Sequence, residues 1–172
     1  MKKFRSLNHV EMVANLYLQK TFDYKGEDFK ISEHGYKFKW DNKSTKRFGA
    51  CSGKRKTIFL SKKICEVNLD NGAMIVDTIL HEIAHAIQVI KSHYASHDNE
   101  WKSIATSIGC NGKATYNEHS IIQPKMKYTA VCPCCKRETG FYILGTVPAS
   151  TYDRGTGVLV KKGGLQDGTL WC

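Results

Sequence analysis

Thr78-Ile79-Leu80-His81-Glu82-Ile83-Ala84-His85-Ala86-Ile87 decides how the rest of the chain is read. Around it Ile75, Val76, Ile79, Leu80, Ile83, Ile87 and Ile90 recur at helical spacing, which predicts a core helix, with Asp70, Asn71 and Gly72 as start signals. Into that apolar stripe the sequence sets two histidines and a carboxylate, groups a core helix ordinarily avoids. His81 and His85 are four residues apart, so on a helix both imidazoles leave the same face one turn apart. Two neutral imidazoles so placed can fill two corners of a zinc tetrahedron. Glu82 lies about 100° round the helix from His81, where it can reach a zinc-bound water without being a ligand. This is H-E-x-x-H, in which the histidines bind zinc and the glutamate serves as general base. The plainer reading is a buried helix with two edge histidines and an incidental glutamate.

A catalytic zinc usually takes three protein ligands and leaves one position open. Downstream, Lys91-Ser92-His93-Tyr94-Ala95-Ser96-His97-Asp98-Asn99-Glu100-Trp101 offers His93, His97 and Glu100, and further on stands His119. On an unbroken helix His93 would lie about 12 Å beyond His85, too far to share a metal. Tyr94-Ala95-Ser96 offers a break that lets the chain double back, which brings His97 within reach. Asp98 and Asn99 read as the start of a second helix running from Glu100 to Ile108 and ended by Gly109, with Trp101 packed beneath the ligand.

The composition bounds the rest. A chain of 172 residues, 41% hydrophobic and 24% charged, suits one compact domain with a small appendix. No transmembrane run is read from the sequence. The basic N-terminus lacks an apolar stretch behind it, so no secretory signal is read there and a cytoplasmic setting is expected, nucleoid-associated or nuclear according to the host. Seven cysteines, of which Cys51, Cys65 and Cys110 are scattered and Cys132, Cys134 and Cys135 clustered, read as free thiols plus a metal site rather than a disulfide framework. The net charge of +10 favours acidic partners, nucleic acid first among them.

Along the chain, residues from Asn8 to Phe22 have the spacing of an amphipathic packing helix. Phe29-Lys30-Ile31-Ser32 and Tyr36-Lys37-Phe38-Lys39-Trp40 alternate as strands about a His34-Gly35 turn. Arg47 to Cys51 and Thr57 to Ser61 supply two more strands. A small antiparallel or mixed sheet against helices is the α+β solution. Basic residues crowd this region: Lys37, Lys39, Lys43, Lys46, Arg47, Lys54, Arg55, Lys56, Lys62 and Lys63, with Tyr36, Phe38, Trp40 and Phe48 among them. Such interleaving can track phosphates and stack bases. For the aromatics, a core-facing role is the preferred reading.

His81, Glu82 and His85, followed by His97-Asp98-Asn99-Glu100-Trp101, resemble the SprT-like metallopeptidase family, which includes the Spartan proteases acting on DNA–protein crosslinks. Leu16-Tyr17, Phe22, Trp40-Asp41-Asn42, Gly49-Ala50-Cys51 and Ile58-Phe59-Leu60-Ser61 are similar to its first helix and strands, so the likeness spans about residues 8 to 135. Asp98 departs from the family's usual glycine. The metzincin pattern is excluded: the third histidine is too distant, and no glycine stands three residues after His85.

The tail resembles the zinc ribbon that many SprT-like proteins carry. Cys132-x-x-Cys135 follows a basic stretch as one knuckle. The second pair is incomplete, since only Cys134 and the terminal Cys172 remain, so Cys132, Cys134, Cys135 and Cys172 could hold a structural zinc or none. Phe141 to Leu144 and Gly157 to Val160 could pair as its strands.

The expectation is therefore an α+β chain: a small zincin-like metallopeptidase domain over residues 1–123 and an incomplete zinc-ribbon-like basic tail over residues 124–172. A monomeric zinc endopeptidase is expected, with His81, His85 and His97 as ligands and Glu82 as base, acting on protein substrates bound to single- or double-stranded DNA, with no membrane partner. Tyr94 and Tyr116 are the residues considered for oxyanion stabilisation. The alternative is a nucleic-acid-binding protein that keeps the fold with little proteolysis, a reading that leaves Glu82 without a role.

Overall fold

The computed structural model describes residues 3–115 and 121–124 in full and, beyond them, the backbone of four short strands. The chain divides into two compact units, Met1–Pro124 and Lys125–Cys172. In the first, helix α1 (Leu7–Gln19) leads into a hairpin of β1 (Phe22–Tyr24) and β2 (Glu27–Phe29). Strands β3 (Lys37–Asp41), β4 (Gly49–Ser52) and β5 (Thr57–Ser61) follow, then helices α2 (Lys62–Val67), α3 (Gly72–Ser92) and α4 (Asn99–Ser107).

Helix α3 is the axis of this unit. Asn71 caps its start, its side chain accepting from Met74 N, and Lys91 lies in the last turn, where a cation complements the helix dipole. Ile75, Ile79, Ile83 and Ile87, spaced by four, are each 0% exposed, so one face forms the spine of the core. Burying each such side chain contributes about 1.5–3 kcal/mol. By length and hydropathy alone this helix would also suit a membrane span, although histidines and charged residues interrupt its apolar runs. Most of it is buried within the unit. The helix ends at His93, whose left-handed φ of 63° turns the chain out of the axis while its N–H still bonds Val89 O.

The three-stranded sheet has the order β3-β5-β4, with β3 parallel and β4 antiparallel to β5, so it is mixed. Phe38, Trp40, Ile58 and Leu60 face the helices, and Trp40 Nε1 donates to Glu11 on α1 at 2.8 Å. Tyr36 and Phe48 are buried, and Phe38 and Trp40 pack against the core, which bears out the core-facing reading of the aromatics. β4 is an edge strand and lies hard against α3. A Cβ at Gly49 would stand 2.6 Å from Glu82 Oε1, and one at Gly53 would stand 2.8 Å from Val89 Cγ1. The glycine at each end is what lets the strand run alongside the histidine-bearing helix.

Two elements depart from expectation. The strand read at Phe29 to Ser32 is instead the end of the β1–β2 hairpin followed by turns, because Lys25 and Gly26 both take positive φ, 57° and 80°, and fold the chain back earlier. Helix α2 was not foreseen: Ser61 ends β5 and at once caps α2, its Oγ accepting from Ile64 N.

In the second unit, β6 (Tyr128–Val131) pairs antiparallel with β7 (Glu138–Phe141), and β8 (Tyr152–Asp153) pairs with β9 (Val158–Leu159). Of the strands expected at 141–144 and 157–160, Phe141 pairs with Tyr128 and Val158–Leu159 with Tyr152–Asp153, and the remaining residues of both stretches lie outside the described residues. Cys132, Cys134, Cys135 and Cys172 lie outside the described residues.

Candidate metal centre and cleft

His81 and His85 project from α3 as the four-residue spacing requires, and the chain beyond His93 doubles back to bring His97 against them. His97 Nε2 lies 3.0 Å from His81 Nε2 and 3.0 Å from His85 Nε2. All three ligand atoms fall within 4.8 Å of one another. At a Zn–N distance of about 2.0–2.1 Å, tetrahedral ligand nitrogens stand about 3.3 Å apart. The two spacings from His97 are within a few tenths of an ångström of that value.

The chemistry of these donors fits a cation. Burial pushes His81 down to about 4 and His85 down to about 3, and lowers His97 as well, so all three rings are neutral at physiological pH. A neutral ring that keeps its proton on Nδ1 turns a bare Nε2 lone pair inward, and three such lone pairs meeting at one point suit a divalent metal. The His81 ring is also hydrogen-bonded to the backbone of Lys113, and an imidazole anchored this way presents its other nitrogen. Trp101, 1% exposed, underlies all three rings, with centroids 4.7 Å from His81, 5.3 Å from His85 and 4.6 Å from His97.

Glu82 is buried beside the trio, and its carboxyl lies where a side chain on Gly49 would be. Burial raises its pKa to about 8, with Arg47 pulling the other way. The group is therefore largely protonated at neutral pH unless a cation binds next to it. A cleft of about 370 Å³ opens over His81, Glu82, His85 and His97, walled on one side by Arg47 to Cys51 and on the other by Ala95 and Ala114. Edge strand β4 thus forms one rim of the cleft.

The remaining candidates fall away from this centre. His93 caps α3, and Glu100 accepts from Ser92 Oγ at 3.2 Å. Tyr94 donates its hydroxyl to Asp98 Oδ2 at 2.9 Å and does not line the cleft. Tyr116 and His119 lie outside the described residues. Cys51, Cys65 and Cys110 are free thiols. Burial lifts Cys51 and Cys65 to about 12 and Cys110 to about 11, so none is a thiolate at neutral pH.

Sequence reading missed the polar scaffold of the loop. Gln88, one turn past His85, is 0% exposed, and its amide reaches both Ser96 and Asp98. Its place on the histidine-bearing face, three residues after His85, is all that the sequence shows of it. Asp98 also caps α4 by accepting from Trp101 N at 2.9 Å, and hydrogen bonds, chiefly from Ser96 and Trp101, hold its carboxyl down near 2.

Compared with known proteins, residues 11–122 match the SprT-like family, a span that contains the whole centre and stops short of the cysteine-bearing tail. Neither the curated proteins nor the solved structures give a match.

Proposed function

The chain belongs to the SprT-like family, and on that premise we propose that it is a zinc-dependent endopeptidase in which Glu82 is the general base. The observation that carries the reading is the meeting of three Nε2 atoms, at 3.0 Å from His97 to each partner, with a buried carboxyl beside them at the floor of an open cleft. His81, His85 and His97 would hold the metal. Zinc bound there supplies Lewis acidity, which acidifies water and polarises a peptide carbonyl.

The chain's own groups do the rest. The free edge of β4 offers backbone donors and acceptors to an extended peptide, so substrate adds as a further strand with its scissile bond over the histidines. Glu82, ionised once a cation sits beside it, takes a proton from the attacking water and returns it to the leaving amine. The buried setting of the carboxyl keeps its proton affinity near neutrality, where transfer in both directions is easy.

The nucleic-acid half of the proposal rests on the sheet's other face. In β3, Lys37 and Lys39 point away from the core, and Phe59 lies half-exposed beside Lys39 on that side. Lys54, Arg55 and Lys56 lie in the connection at one end of the sheet and Lys43 and Lys46 in the connection at the other, all exposed. Such a surface suits a single-stranded phosphate backbone and directs proteolysis to DNA-bound proteins. The same surface favours a second reading, nucleic-acid binding with little proteolysis.

The experiment that tests these readings is cleavage of a basic DNA-binding protein by the zinc-loaded chain, with and without single-stranded DNA and after chelation. Cleavage that needs zinc and rises with DNA supports both halves. Cleavage indifferent to DNA removes the nucleic-acid half, and salt-sensitive DNA binding with no cleavage leaves the second reading.

A further inference from the structure

His97 is the one member of the trio that does not stand on a helix, and its loop has no buried apolar anchor: residues 93–98 are all exposed or half-exposed. The ring rests on Trp101, but with no buried side chain of the loop's own the backbone on either side of it must be held by something else. We propose that Gln88 and Asp98 are positioning residues for the third metal ligand, gripping the chain immediately before and after His97 and so fixing its ring over α3. The inference rests on the metal-centre reading above.

The contacts are specific in direction. Gln88 Oε1 accepts from Ser96 N at 3.0 Å, and Gln88 Nε2 donates to Asp98 Oδ1 at 3.0 Å. A backbone N–H can only donate and an ionised carboxylate can only accept, so the carboxamide fits one way round and neither glutamate nor leucine replaces it. Asp98 spreads the hold: Oδ1 also accepts from Trp101 N at 2.9 Å, Oδ2 accepts from Tyr94 Oη at 2.9 Å, and Asp98 N donates to Ser96 Oγ at 3.3 Å. Gln88 stands three residues after His85 on the same rigid helix, so the loop is referenced to the element that carries the other two ligands. A fully buried carboxamide costs stability unless both its ends are satisfied, and here both are spent on the residues that bracket His97. Outer partners of this kind typically hold about 10–100-fold in metal affinity.

A double-mutant cycle in the full chain tests this, read by zinc affinity in chelator competition and by the d–d absorption of bound Co²⁺, with thiolate bands marking any cobalt held by cysteines. Gln88→Met keeps the side-chain length and removes both hydrogen bonds. It should weaken the histidine site about 10–100-fold and alter the Co²⁺ spectrum. In a His97→Ala background the same change should cost less than about 3-fold, because the group it positions is gone. Asp98→Ala, on the loop side, should behave as Gln88→Met does and stands in for it if that variant fails to fold. Asp98→Asn, whose amide oxygen still accepts from Gln88 and Trp101, should retain most of the affinity. An equal loss in both backgrounds, or wild-type affinity in Gln88→Met and Asp98→Ala, overturns the inference. If wild type and His97→Ala bind zinc and cobalt alike, the metal-centre reading itself fails, a result distinct from failure of the clamp.

Discussion

The two halves of the centre are held by different physics. His81, Glu82 and His85 ride on α3, where helical geometry sets their spacing and four fully buried isoleucines fix the helix. His97 hangs on a loop with no buried apolar side chain of its own; its ring rests on Trp101 of α4, and a few directional hydrogen bonds hold the chain on either side of it. The difference teaches that the helix half is inseparable from the stability of the domain, whereas the loop half can be loosened with the fold intact. Metal affinity should then respond to changes that thermal stability does not register.

The strongest challenge to this comparison is Ile83→Ala. Removing a fully buried side chain from the spine of α3 should cost about 2–5 kcal/mol in a thermal or urea melt, and the histidine site should weaken only in step with unfolding. Affinity lost well before stability would show that the helix half is not rigid. Next is Gly49→Ala, where the new Cβ would meet Glu82 Oε1 at 2.6 Å and Thr78 Cγ2 at 2.8 Å. Overpacking of this kind costs about 1–3 kcal/mol, and the displaced carboxyl should depress cleavage beyond what the melt accounts for.

The pH dependence of the metal-free protein sharpens the helix side further. Glu82 is raised from 4.5 to about 8, so its contribution to stability is complete below 4.5 and is lost as pH climbs through 8. His81 and His85 are lowered from 6.5 to about 4 and about 3, so theirs is complete above 6.5 and is lost as pH falls through those values. Between 6.5 and 8, of these three groups, only Glu82 changes. Metal-free wild type should lose stability as pH rises across that window, while Glu82→Gln stays flat; parallel curves would refute the raised carboxyl. The smallest effect belongs to the loop: Tyr94→Phe removes one exposed hydrogen bond to Asp98 and should cost about 1 kcal/mol or less in a melt, with zinc affinity falling by a larger factor than stability implies.

The same contrast explains what could be read from the sequence. Helices α3 and α4 came through because their caps and periodicity are local: Asn71 and Asp98 lie one residue before the helices they cap, and the isoleucines repeat. β5 emerged at its observed limits because Thr57-Ile58-Phe59-Leu60-Ser61 is an apolar run, buried everywhere but at Phe59. The β1–β2 hairpin was missed because three-residue strands are too short to show alternation, and its turn is signalled only by Lys25-Gly26. The three histidines were legible as chemistry, whereas Gln88 was not. Its role lies in tertiary contacts with residues 96 and 98, and nothing local marks a glutamine as a clamp. Gly49 was legible only as part of a strand, since the reason for a glycine there is a carboxyl on another element.

The most direct test of the central claim is cleavage of a protein substrate by zinc-loaded wild type and by Glu82→Gln at equal zinc occupancy. Loss of the base should lower turnover by about 10²–10⁴-fold while the histidines keep their metal. Wild-type cleavage by Glu82→Gln would contradict the account.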